Sequence, residues 1–148
     1  MVNRFGVYYA GSTFEVAFLE TIVRDTKNLN PGTLLLSSRE LQRYVHVEIV
    51  VREPLELADL RAGNAITMGI PTDAIRARSH REGQRTSLAL YVHPDRPDGI
   101  CYSSRLNQHE NIAVYDRAIH KLSPGPTRRL SRCPELAPVL DRYRIAVL

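Results

Sequence analysis

The sequence predicts an α+β fold, one compact domain of 148 residues around a mixed central sheet. Three observations lead there. The length lies near the usual size of a single domain, roughly 100–150 residues. Segments of strand type and helix type follow one another irregularly, without the βαβα alternation that marks a doubly wound parallel sheet. The first 25 residues already hold one element of each kind.

Phe5 to Ala10 is a short apolar, aromatic run closed by Gly11, the pattern of a strand. Ser12-Thr13-Phe14-Glu15 matches the S-x-x-E capping box, which starts a helix by satisfying free amides of its first turn. Behind it, Phe14, Ala17, Phe18, Thr21 and Ile22 recur at spacings of three and four, and Val16, Leu19 and Val23 widen that apolar face. The helix is expected to end near Asp25, ahead of the turn-rich stretch 28–32.

Further along, Leu34 to Leu36 reads as a strand and Ser38 to Arg43 as a short helical connection. Tyr44 to Arg52 places Val45, Val47, Ile49 and Val51 on one side by strict alternation, which predicts a single strand. Leu55 to Leu60 is expected as a strand, Asn64 to Gly69 as a helical turn, 76–85 as a charged loop and Gln84 to Val92 as a helix. Ile100 to Ser103 and Ile112 to Tyr115 are strands joined by a polar turn over Leu106 to Asn111. Residues 122–138, with four prolines and three arginines, suggest a wandering surface segment before a last helical turn and a strand over Ile145 to Leu148.

Composition narrows the function. No apolar run approaches the ~20 residues that a membrane helix needs, and no basic-then-apolar leader opens the chain, so the cytoplasm is the expected location. Cys101 and Cys133 are too few for a disulfide scaffold or a four-ligand zinc site. The five histidines fall at no metal-ligand spacing and read as solvated, so no metal is expected. Neither a G-x-G-x-x-G loop nor a G-K-S/T motif is present. Eighteen arginines against two lysines give a formal charge of +4, with the excess in residues 75–148. Arginine suits bidentate recognition of phosphate or carboxylate, and a GC-rich genome produces the same bias without function. The charge alone selects no partner.

Two segments stand out chemically. Glu20 falls on the apolar side of its helix, where a charge is costly unless it is paired or faces a cavity. It is either a boundary residue paired with an arginine or a carboxylate placed for catalysis or ribose binding. The other is Asp98-Gly99-Ile100-Cys101-Tyr102-Ser103-Ser104-Arg105, a strand ending in two hydroxyls and a guanidinium. Such a terminus is either a plain structural turn or a holder of phosphate or ribose oxygens.

The segment FGVYYAGSTFEVAFLET resembles the strand–helix core of RES-domain proteins, with a tyrosine-ended strand, a small-residue turn and a helix closing in A-x-L-E-T. DGICYSSRLNQHENIAVYDRA is similar to their D-G-I-x-Y-x-S-R block. VEIVVREPLELADLRAGNAITMGI, lying between them, is similar to the family's strand and L-x-D-L segment. The resemblance covers residues 5–120 in order and makes 1–148 one RES-like domain.

By this resemblance the family's glutamate is Glu20, its serine Ser104 and its active-site tyrosine Tyr9. Arg4-Phe5 has the letters of the arginine segment, but so close to Tyr9 that the family's own arginine is expected upstream of Met1. The resemblance implies an ADP-ribosyltransferase-like fold and a bacterial toxin that consumes NAD, as a phosphorylase or glycohydrolase. Glu20, Tyr9 and Ser104 would be catalytic, while Arg4, Ser103 and Arg105 would contact the dinucleotide. The implied partners are NAD as substrate and a cognate Xre-like DNA-binding antitoxin, with a homodimer also open. Two alternatives stand beside this reading: a protein ADP-ribosyltransferase using the same site, and a catalytically impaired RES-like module that binds an antitoxin or nucleic acid.

Overall fold

The computed structural model describes residues 4–24, 32–70 and 80–148. Its centre is a four-stranded sheet. Strand β1 (Val7–Gly11) lies antiparallel to β7 (Glu110–Tyr115), and β7 lies antiparallel to β6 (Gly99–Ser103). The far edge of β6 takes β5 (Leu57–Asp59) in parallel, giving the order β1-β7-β6-β5. The sheet is therefore mixed and the fold α+β, as expected. Directly opposed residues in a ladder share a face. Tyr9 opposes Ala113, Gly11 opposes Asn111, and Asn111 in turn opposes Tyr102, so these residues line one side of the sheet.

Helix α1 (Phe14–Phe18) docks on that side and continues as a π-helical turn over Leu19–Val23. Glycine at position 11 is required by the dock: a Cβ there would lie 2.6 Å from Val16 Cγ1 and 2.8 Å from the Ala17 nitrogen. The expected capping box is replaced by a simpler cap. Thr13, not Ser12, is the N-cap, its Oγ1 accepting from the Val16 N–H at 3.2 Å, while Glu15 turns toward the C-terminal segment. Thr21, placed on the apolar face by spacing, is exposed, because the wider π turn shifts the register after Phe18.

Two clusters form the core. Phe18, Leu19 and Ile22 pack with Leu36 of β2 (Leu34–Leu36), Leu41 of α2 (Ser38–Leu41) and several residues near the C-terminus. The second cluster joins Ile100, Ala113 and Tyr115 of the sheet to Leu60, Ala65 of α3 (Asn64–Thr67) and Leu90 of α4 (His80–Tyr91). At its edge Phe5 stacks on Tyr91 at 4.3 Å, and Arg117 lies over the Tyr91 ring at 4.5 Å.

Three expectations are corrected. The strand expected over Tyr44 to Arg52 is two short ones, β3 (Val45–His46) and β4 (Ile49–Val51). Their partners are β9 (Arg128–Arg129) and β8 (Leu122–Pro124), and the intervening partner segment contains Pro126, which has no N–H to donate. Of the expected inward face, Val45 and Val51 are 58% and 47% exposed while Val47 and Ile49 are half-buried, and His46, expected outside, is also half-buried and meets the Phe14 ring edge-on at 5.1 Å. Residues 122–138 are more than a surface segment. They supply β8, β9 and the buried Leu130, Cys133 and Leu136, the last opening helix α5 (Leu136–Arg142). Helix α4 begins at His80, inside the charged stretch expected as a loop, of which 76–79 lie outside the described residues, as do 28–31 of the expected turn. The chain closes with β10 (Ile145–Val147), parallel to β2. Among the described residues no helix is long and apolar enough to cross a membrane.

Candidate active site

The π turn places Glu20 over the end of the sheet where β6 stops and β7 starts. Single π turns inside helices concentrate at functional sites, because they present a side chain that a regular α-helix would aim elsewhere. Glu20 Oε1 accepts from the Ser104 hydroxyl at 2.6 Å and from the Asn111 amide nitrogen at 3.5 Å. Its other oxygen, Oε2, has a looser ion pair with Arg24 Nη1 at 3.6 Å, one turn on. The carboxylate is thus anchored on one oxygen, while its side chain keeps 21% exposure.

The anchor is itself rigid. Ser104 is 2% exposed, its hydroxyl donating to Glu20 and accepting from the Leu106 N–H at 3.1 Å. The Ser104 N–H donates to His109 O at 2.7 Å and the Gln108 N–H to Ser104 O at 3.0 Å, which closes the loop between β6 and β7 around the serine. Asn111, 3% exposed, is held by strands on both sides. Ser104 is thus a buried donor that orients the Glu20 carboxylate.

Tyr9 is 66% exposed on the same face of the sheet. Tyr102 lies nearby, half-buried. Burial first, then the charge of Glu20 and the neighbouring Tyr9, push the Tyr102 phenol up to about 12, so it stays protonated at neutral pH. Two phenol rings and an anchored carboxylate therefore meet at one end of the sheet, with the Arg24 guanidinium 42% exposed at its border.

The chain matches the RES domain family model over residues 2–133. It is also 42% identical over 120 residues to a protein of Sinorhizobium fredii (strain NBRC 101917 / NGR234) named "Probable toxin y4kH", covering 79% of this chain and 93% of that one. The chain belongs to the RES-domain family. No solved structure matches it.

Within this RES domain, the three residues carried over as catalytic come together: Glu20 and Ser104 in direct contact, Tyr9 on the same sheet face. The dinucleotide contacts are scattered. Arg4 is exposed ahead of β1, at the opposite end of that strand from Gly11 and the Glu20 anchor. Ser103 alternates to the other face and opposes Glu110, whose carboxylate binds Arg61. Arg105 is exposed in the loop after Ser104. The Arg61 side chain also grips Asp59, whose pKa it lowers to about 2, so this second charge cluster is internally paired.

Asn111, Tyr102 and Arg24 went unassigned in the sequence. Asn111 was legible in principle, since it shares strand parity with Ala113 and Tyr115 and so had to be a polar group on an apolar face. Arg24 stands four residues after Glu20, the ordinary helical ion-pair spacing. Tyr102 is the tyrosine of the D-G-I-x-Y-x-S-R block, a motif that gives it no role by itself. Cys101 is buried in β6, and burial raises its thiol pKa. Cys133 is likewise buried, its Sγ 3.5 Å from Arg129 O.

Proposed function

We propose that this RES domain is a toxin that consumes NAD by cleaving the bond between nicotinamide and ribose. The observation that carries the reading is the Glu20 carboxylate, pinned on one oxygen by Ser104 and Asn111, still partly exposed at its ion pair with Arg24, and on the sheet face that bears Tyr9 and Tyr102. The toxin name of the Sinorhizobium fredii relative and the family resemblance agree with it. The ADP-ribosyltransferase-like arrangement rests on the same resemblance.

The chemistry suits those groups. As the C1′–N1 bond breaks, its electron pair leaves with nicotinamide and neutralises the pyridinium, while positive charge grows on the ribose as an oxocarbenium ion. A fixed carboxylate at a ribose hydroxyl stabilises that charge most if it need not reorganise, which is what the Ser104 and Asn111 anchor provides. Tyr9 offers a face for the nicotinamide ring, and Tyr102, kept protonated, offers a donor. Arg24 and Arg105 are the cations at this end of the sheet for the pyrophosphate. An oxygen of water or phosphate then bonds to C1′, water losing a proton in doing so, to give ADP-ribose or its 1-phosphate. The natural partner on this reading is an antitoxin of the Xre type that silences the toxin.

The test is NAD consumption by the purified chain, followed as released nicotinamide, with Glu20→Gln as control. Loss of one preorganised electrostatic group of this kind costs on the order of 100–1,000-fold in rate. The expected result is turnover by the wild type, loss of that size in Glu20→Gln at unchanged circular dichroism, and growth arrest only from the active gene. Equal turnover by the two proteins overturns the assignment.

A further inference from the structure

The family match ends at residue 133, yet residues beyond it reach back to the site. Glu15, on the helix that carries Glu20, accepts from the Tyr143 hydroxyl at 2.5 Å and from Arg142 Nη1 at 2.7 Å, one donor on each carboxylate oxygen. Tyr143 follows α5 directly. The Glu15 side chain is 15% exposed, and this bonding, Tyr143 foremost, holds its carboxyl below the usual range. Asn107, from the loop that starts at Ser104, has a buried amide nitrogen with no hydrogen-bond partner among the described residues, and its nearness to Glu15 and Tyr143 favours the ionised carboxylate.

The C-terminal segment is thus bonded to the Glu20 helix, and that helix is bonded to the Ser104 loop. Glu15 is five residues before Glu20, and Asn107 three after Ser104. The 2.6 Å contact between Ser104 and Glu20 spans two of these parts, the loop closed on itself around Ser104 and the helix that Glu15 ties to the C-terminal segment. Charge-assisted hydrogen bonds of this type are roughly twice as strong as neutral ones and define direction.

We propose that Glu15, clamped by Tyr143 and Arg142, is a positioning residue that seats the Glu20 helix and thereby fixes the Ser104–Glu20 contact, so that the C-terminal segment sets the geometry of the active site. This rests on the proposed NAD chemistry only for its kinetic readout. A misplacement of about 1 Å at a reacting group can cost on the order of 100-fold in rate. Removal of the Tyr143 hydroxyl alone is a milder change.

The experiment has two arms on full-length protein. In the first, hydrogen exchange is measured at the amides of Ser104, Leu106 and Gln108 in wild type, Tyr143→Phe and Glu15→Gln. Exchange about tenfold faster in both variants, with the central β6 and β7 amides unchanged, is expected from loss of a local brace. Unchanged loop exchange overturns the proposal whether or not the protein consumes NAD. In the second arm, Tyr143→Phe is expected to lower kcat about tenfold at unchanged KM, and to have no further effect in a Ser104→Ala background. Equal effects in both backgrounds, or a fall in melting temperature with kcat intact, reduce the clamp to a purely structural contact and overturn it. If wild type shows no NAD turnover, the proposed function fails, and the exchange arm still decides the brace. Should Glu15→Gln fail to fold, Arg142→Gln, whose side chain is 65% exposed, replaces it in both arms.

Discussion

Strand β7 and the stretch 45–51 are both dense in apolar and β-branched residues, yet they live in opposite surroundings. In β7, Asn111, Ala113, Val114 and Tyr115 are all buried, with hydrogen-bonded strands on both edges. In 45–51, Val45, Val50 and Val51 are 58%, 47% and 47% exposed, and the backbone pairs only with two short ribbons. Alternation reports that a strand has an apolar side. Whether that side is dry depends on a second layer supplied by distant parts of the chain, and α3 and α4 pack on the Ala113 and Tyr115 face of β7.

Four substitutions would break or sharpen this contrast. The largest effect is catalytic: Glu20→Gln at the covered end of the sheet, with the loss of turnover stated above. Next is Tyr115→Ala. Its ring is fully buried, meets Phe5 and Tyr91 edge-on, and its hydroxyl donates to Ser87 O at 2.9 Å. Removing a buried aromatic of this size costs about 3–5 kcal/mol, read as a lower urea midpoint. A loss under about 1 kcal/mol, less than half of even the mildest large-to-small core change of this kind, would show that the β7 face is not the packed layer described.

Asp98 comes third. Burial opposes its charge, but the Lys121 ammonium at 2.7 Å and the Glu56 N–H at 2.8 Å outweigh it and hold its pKa below the usual aspartate range. A carboxyl lowered in the folded state stabilises the fold above its unfolded pKa of about 3.9, and that stability fades as pH falls toward and below that value. Asp98→Asn is expected to lose roughly 1–3 kcal/mol at pH 7, the usual cost of a broken charged hydrogen bond, and to flatten the acid limb of the stability curve. An unchanged acid limb would remove Asp98 from the account. The smallest effect belongs to the wet ribbon: Val45→Thr should shift stability by less than about 0.5 kcal/mol. A larger loss there would mean that the Val45 side is covered after all.

Legibility followed the range of the interactions. Strand β1, the helix after it, β2, β6, β7 and β10 were readable because turn residues and local periodicity mark them. The capping box misled because Thr13 and Ser12 are equally able caps by type, and Glu15 was drawn away by Tyr143, 128 residues distant. The 44–52 stretch misled because Pro126 on its partner interrupts the ladder. Glu20 was noticed as a charge on an apolar face, and family resemblance, not periodicity, joined it to Ser104. Asn111 was missed because a polar residue beside a turn reads as part of the turn.

By itself the sequence determined the α+β class, the family, and Glu20, Tyr9 and Ser104 as the residues to watch, since all of these depend on short motifs and local pattern. Their surroundings came from the tertiary structure. It buried Ser104 behind Glu20 as an anchor, added Asn111 and Tyr102, left Arg4 at the far end of β1 and brought the C-terminal segment onto Glu15. The physical reason is that a side chain's role depends on what desolvates it and what bonds it, and here most of those groups lie 84 to 128 residues away along the chain.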